Sequence, residues 1–107
     1  MKLWELYIAE REGAKIICTD HSFVTYKNTE NDELIVIDLF VEKEHRKSGL
    51  IRKMWDEMIL KEKPKMVYGT TDVSALNWEI SHKFMVSFGF IPYTQEDNII
   101  HYYREIE

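Results

Sequence analysis

The residues best suited to chemistry lie together in one short basic stretch. Val41-Glu42-Lys43-Glu44-His45-Arg46-Lys47-Ser48-Gly49-Leu50-Ile51 follows an apolar run and leads into an amphipathic one, and Arg52 and Lys53 come directly after it, in a chain whose formal net charge is -5. Where a helix opens directly after a strand, its first N–H groups have no acceptor within the helix and its dipole presents positive charge, so the junction can hold an anion. Glycine at such a point lets the backbone approach a ligand closely. Arg46, Lys47, Ser48 and Gly49 at one strand-to-helix junction therefore read as a cradle for a pyrophosphate.

Other chemistry is weakly supported or excluded. The acidic balance argues against a general role on DNA or RNA, whose phosphates need a positive surface. His21, His45, His82 and His101 show no metal-ligand spacing and no acidic residue pairs with them at ligand intervals, so no metal is expected. The lone Cys18 rules out an intramolecular disulfide and a cysteine metal cage, and its neighbours Ile16 and Ile17 predict a buried thiol. No run of eighteen apolar residues and no signal peptide is found, so a cytoplasmic protein is expected.

The elements that must position the basic stretch follow from periodicity. With 107 residues, 45% of them hydrophobic, and only four Gly and two Pro, one domain over residues 1–107 is expected. Residues 3–9 read as a strand, followed by a turn at residues 11–14 and a second extended segment over 15–26. The run 33–41, rich in Ile, Val and Phe, predicts a central strand. From Ser48 the apolar residues Leu50, Ile51, Met54, Trp55, Met58 and Ile59 recur at helical spacing, which predicts an amphipathic helix ended by Pro64. A short strand over 66–69 follows, then a second helix over 74–88 with Leu76, Ile80, Phe84 and Phe88 on one stripe and Gly89 as its left-handed cap. Residues 90–93 and 99–106 close the chain as strands joined by the turn 95–98. The order is β-β-β-α-β-α-β-β, in which strands separated by a helix are expected to be parallel neighbours. Trp4 and Trp78 have no evident place in this core.

The segment VEKEHRKSGLIRKM resembles motif A of the GNAT superfamily, whose signature is Gln or Arg, two residues, Gly, one residue, then Gly or Ala; Arg46 and Gly49 match it. The preceding IDLFV resembles the family's strand, Phe88-Gly89-Phe90 its motif B, and IIHYYREI its last strand. The resemblance covers roughly residues 5–107. It implies an α/β (α+β) domain with a GNAT-like mixed, mostly antiparallel sheet and two main helices. It also implies acetyl-CoA as cosubstrate, with the backbone of Leu39, Phe40 and Val41 beside the pantetheine arm and Arg46, Lys47, Ser48, Gly49, Leu50 and Ile51 at the pyrophosphate. The activity implied is N-acyl transfer, acetyl to an amine of a protein or small molecule. A non-catalytic binding protein of the same fold, a homodimer or an inhibitor of a host factor among its forms, is the alternative.

Transfer to an ammonium substrate needs a base, and the departing thiolate needs a proton donor. Asp38, an acid within an apolar strand, is the candidate base; its alternative is an ordinary solvent-facing position. Tyr93 is the candidate donor, with Ser81 and His82 as further options. Three departures from the family bear on function, the first two favouring the non-catalytic alternative and the third leaving the acceptor site open or completed by a partner. Ile51 stands where the signature ends in Gly or Ala, Met85 stands where a proton-donating Tyr is common, and a short turn replaces the helices that usually follow the first strand.

Overall fold

In this computed structural model, residues 2–106 and, within them, all side chains except those of Trp4 and Ala9 are described. Apolar alternation over residues 15–41 builds three antiparallel strands, β1 (Lys15–Thr19), β2 (Ser22–Asn28) and β3 (Glu33–Val41). A 3-10 turn at Lys43–His45 carries the chain into α2 (Leu50–Glu62), which returns it to β4 (Met66–Asp72), and α3 (Trp78–Ser87) then precedes the hairpin of β5 (Ile91–Glu96) and β6 (Ile99–Glu105). The sheet runs β1-β2-β3-β4-β6-β5, and only β3 and β4 are parallel. The crossover through α2 does join parallel neighbours. The crossover through α3 does not, because β6 inserts between β4 and β5 and pairs with both.

The expected order of strands and helices recurs, but with other residues at its start. Residues 3–9, read as a strand, belong to a helix, α1 (Leu3–Arg11), and the segment 15–26 is two strands joined by a tight turn. Leu, Glu, Ala and Arg are strong helix formers, and the Lys2 N–H donates to the Glu5 carboxylate at 3.4 Å across the first turn. A helix, not a strand, therefore leads into the first hairpin. The second helix also starts later than expected: Asn77 takes a left-handed φ of 63° and α3 begins at Trp78. Leu76 and Ile80 consequently stay exposed, and only Phe84 and Phe88 of the expected stripe pack inward. Gly89, with φ 92°, takes the left-handed position after α3 as expected. Arg104 supports this end by donating to the Phe88 carbonyl at 2.7 Å while its guanidinium lies 4.7 Å from the Trp55 ring.

Both helices of the crossovers pack on one face of the sheet. Met54 and Met58 of α2 meet Val24, Tyr26, Leu34, Val67, Phe90 and Tyr102, each almost fully buried, and each such side chain contributes roughly 1.5–3 kcal/mol. Cys18 is not part of this core. Strand alternation puts Ile17 inward and Cys18 outward, opposite Phe23, so the expected buried thiol is exposed. No described helix is long and apolar enough to cross a membrane.

Glu62 closes the core at the end of α2. Its side chain is 7% exposed and its carboxylate accepts from Lys15 Nζ at 3.0 Å, Tyr26 Oη at 2.8 Å and Asn28 Nδ2 at 3.0 Å. Burial alone would raise its pKa, but the bonds from Asn28, Lys15 and Tyr26 outweigh it and hold the carboxyl at about 2, against an ordinary 4.5. A lowered pKa stabilises the fold above the unfolded value and loses that contribution as pH falls through the folded one. Glu62→Gln should therefore cost about 1–3 kcal/mol at neutral pH. The gap to the parent protein should close as pH falls from about 4.5 toward 2, and urea unfolding at several pH values measures it.

Candidate functional site

The site begins where the two central strands part. β3 and β4 pair only at Glu33 with Met66, Leu34 with Val67 and Ile35 with Tyr68. Beyond these positions β3 stays with β2 as far as Val41, and β4 stays with β6 as far as Asp72. The facing edges of residues 36–41 and 69–72 are thus left without a shared ladder.

A one-residue irregularity sets which side chains line this opening. Thr25 lies opposite Asp38 and Tyr26 opposite Val36, so Ile37 is a bulge residue in β3. Past the bulge, Leu39 and Val41 turn toward the helices, while Asp38 and Phe40 face away from them with Thr25 and Phe23. On the helix side, Leu39, Ile51, Trp55, Phe84, Met85 and Phe88 line an apolar recess between the sheet, α2 and α3. Gly69 of β4 borders it, and a Cβ there would come within 2.6 Å of the Met85 methyl.

The basic junction closes one end of the opening. Arg46 Nε donates to the Val41 carbonyl at 3.1 Å and Ser48 Oγ to the His45 carbonyl, tying the loop to the strand it leaves. Lys47 at φ 64° and Gly49 at φ 86° are both left-handed, an alternation that turns successive N–H groups toward one concavity. The first bond of α2 runs from the Lys53 N–H to the Gly49 carbonyl. Among the described residues no acceptor meets the N–H of Lys47, Ser48, Gly49, Leu50, Ile51 or Arg52. Val41, His45, Arg46, Lys47, Gly49, Leu50 and Ile51 line a small recess there. Ile51, half-buried in the first turn of α2, forms part of its wall and of the apolar recess without filling either.

The expected site residues fall into two groups. Leu39, Val41, Arg46, Lys47, Ser48, Gly49, Leu50 and Ile51 gather along the opening and its closed end, while Phe40 turns its ring to the other face of β3. Asp38 sits on the solvent side of β3, where its backbone N–H donates to Thr25 Oγ1 at 3.1 Å and its carboxylate accepts from that hydroxyl at 3.4 Å. Tyr93 is a bulge residue of β5 on the same face, away from α2 and α3, beside Tyr68, His101 and Tyr103. Asp38 and Tyr93 therefore share a face, though no contact joins them. Of the other donors considered, Ser81 is exposed and His82 Nδ1 is 2.7 Å from the Tyr102 hydroxyl.

Two features escaped the reading of the sequence. Thr71 of β4 is buried and its hydroxyl has no partner among the described residues, a polar group that strand periodicity cannot flag. His21, Glu42 and His45, far apart or irregularly spaced in sequence, place their ligand atoms within 4.8 Å of one another.

The architecture matches solved structures. A chain from Desulfovibrio desulfuricans assigned to the GNAT acetyltransferases superposes with a TM-score of 0.74 at 16% identity, covering 94% of this chain and 74% of that one. The PaiA N-acetyltransferase of Thermoplasma acidophilum, in complex with coenzyme A, gives 0.72 at 10% identity over 98% and 70%. A GNAT family acetyltransferase from Elizabethkingia anophelis with acetyl-CoA bound gives 0.69 at 12% identity over 95% and 82%. The fold is that of the GNAT acetyltransferases.

No protein-family model matches the sequence, and no curated protein is matched by it, so the likeness is one of fold. In this chain the turn into α2 needs a left-handed residue at position 49, a conformation that glycine adopts without cost. Nothing lies within 4 Å of a Cβ added at Gly49, so Gly49→Ala meets no clash. It should still cost about 1–2 kcal/mol of stability through its left-handed φ. Urea unfolding measures this, and an unchanged midpoint would show that the loop does not hold this conformation in solution.

Proposed function

We propose that this chain is an acetyl-CoA-dependent N-acyltransferase. The observation that carries the reading is the parting of β3 and β4 beside six consecutive N–H groups, from Lys47 to Arg52, that meet no acceptor among the described residues. The GNAT-fold neighbours solved with acetyl-CoA or coenzyme A support it. In this reading the amides of Lys47, Ser48, Gly49, Leu50 and Ile51 hold the pyrophosphate, with Arg46 fixing the loop from behind. The free edge of β3 at Leu39, Phe40 and Val41 offers backbone groups to the pantetheine arm, whose thioester is the acyl donor.

On the face away from α2 and α3, Asp38 takes the proton from an ammonium acceptor and Tyr93 supplies one to the leaving thiolate. Asp38 stands on the bank of the opening itself, with only Thr25 against its carboxylate, so an acceptor amine can reach it from solvent. The acceptor is an amine of a protein or small molecule. Met85 favours a second reading, a coenzyme-binding protein without turnover, because a thioether at this point of the recess cannot donate a proton.

Acetyl-CoA at a hundredfold excess over its dissociation constant should stabilise the protein by about 2.7 kcal/mol, a rise in melting temperature on the order of 10 °C. Gly49→Val should remove the rise, and no shift at millimolar acetyl-CoA would reject the proposal. Release of free thiol with an amine acceptor should fall roughly 100-fold or more in Asp38→Asn while the acetyl-CoA shift is kept. Coenzyme binding without thiol release from any amine supports the second reading.

A further inference from the structure

We propose that His21, Glu42 and His45 form a binding site for a divalent transition-metal ion of the zinc type, at the outer rim of the basic loop and independent of the coenzyme reading. His21 Nδ1 lies 3.1 Å from Glu42 Oε2, and the His21 and His45 rings stack with centroids 3.6 Å apart and planes 7° from parallel. The ligand atoms of all three residues lie within 4.8 Å of one another.

The backbone holds the three residues side by side. The His21 N–H donates to Thr19 Oγ1 at 3.2 Å, the His21 carbonyl accepts from the Glu42 N–H at 2.9 Å, and the His45 N–H donates to the Glu42 carbonyl at 2.8 Å. The three residues are thus fixed on the β1–β2 turn and on the turn after β3 before any ion arrives.

Two imidazoles and a carboxylate are the donor set of open zinc sites, which keep a further position for water. Bonds of about 2.0–2.2 Å to a tetrahedral ion put its ligand atoms about 3.3–3.6 Å apart. The rings stand parallel, so binding requires one of them to swing out of the stack until its lone pair converges with the other's. The side chains of His21 and Glu42 are 43% and 53% exposed, so the ion has an entry path and room for water.

With a single carboxylate among its three donors, the cluster offers too few oxygen ligands for a hard cation. Imidazole donors instead favour Zn2+, Ni2+ or Cu2+ over Mg2+ or Ca2+. An ion there would clamp the β1–β2 turn to the basic loop, and so stabilise the fold by mass action.

Calorimetric titration of the tag-free chain with zinc chloride tests the site. One ion per chain is expected at a dissociation constant on the order of micromolar, with a rise in melting temperature reversed by a chelator and no heat from magnesium chloride. His21→Ala and His45→Ala should each weaken binding roughly tenfold or more, as should the isosteric Glu42→Gln, whose fold circular dichroism can verify. Cys18→Ser and His101→Ala should bind as the parent does. Absence of zinc binding in the micromolar range, or binding that survives all three ligand substitutions, would overturn the proposal.

Discussion

Among the described residues, three residue pairs between two parallel strands, and one bond beside them from the Lys65 N–H to the Asp32 carbonyl at 2.7 Å, are all that join the halves of this sheet through backbone. On one side β1, β2 and β3 form an antiparallel ladder, and on the other β4, β6 and β5 form another. The halves would swing apart if the ladder alone held them. They are kept together by α2 and α3, whose Met54, Met58, Trp55 and Phe88 pack with Val24, Leu34, Val67, Phe90 and Tyr102 from both halves. The helices supply the cohesion that the strands give up, and the strands can therefore expose hydrogen-bonding edges at the centre of the sheet, where such groups are ordinarily satisfied.

The electrostatics of the site follow the same economy. In a chain of net negative charge, attraction for an anion depends on where the local dipoles point, and the left-handed Lys47 and Gly49 aim them. The two sides of the opening then differ in chemistry: the helix side is lined by apolar side chains, while the other carries Asp38, Tyr68, Tyr93 and His101. A ligand lying between the strands would have an apolar environment on one side and ionisable groups on the other.

Much of this was legible in the sequence where the periodicity was long or a turn residue was obligatory. The recurrence from Leu50 to Ile59 located α2, the glycines at 49 and 89 marked its start and the end of α3, and the β-rich run 33–41 is β3. Residues 3–9 were not legible, because a short apolar run interrupted by Glu5 satisfies strand and helix patterns alike and intrinsic propensity decided for the helix. Cys18 shows the reverse error: apolar neighbours in sequence say nothing about which face of an edge strand a residue occupies. The placement of β6 between β4 and β5, and the meeting of His21 with Glu42 and His45, are tertiary outcomes with no local signature.

The single extra residue in β3 decides the phase of everything downstream of it. Because Ile37 is inserted, two aliphatic side chains meet the methionines of α2, and a carboxylate and a phenyl ring meet the solvent. Were the same residues to alternate regularly from Val36 with no bulge, those roles would be exchanged, burying Asp38 among thioethers and stranding Leu39 outside. The bulge, more than the order of residue kinds along the strand, thus assigns the dry bank and the wet bank of the cleft.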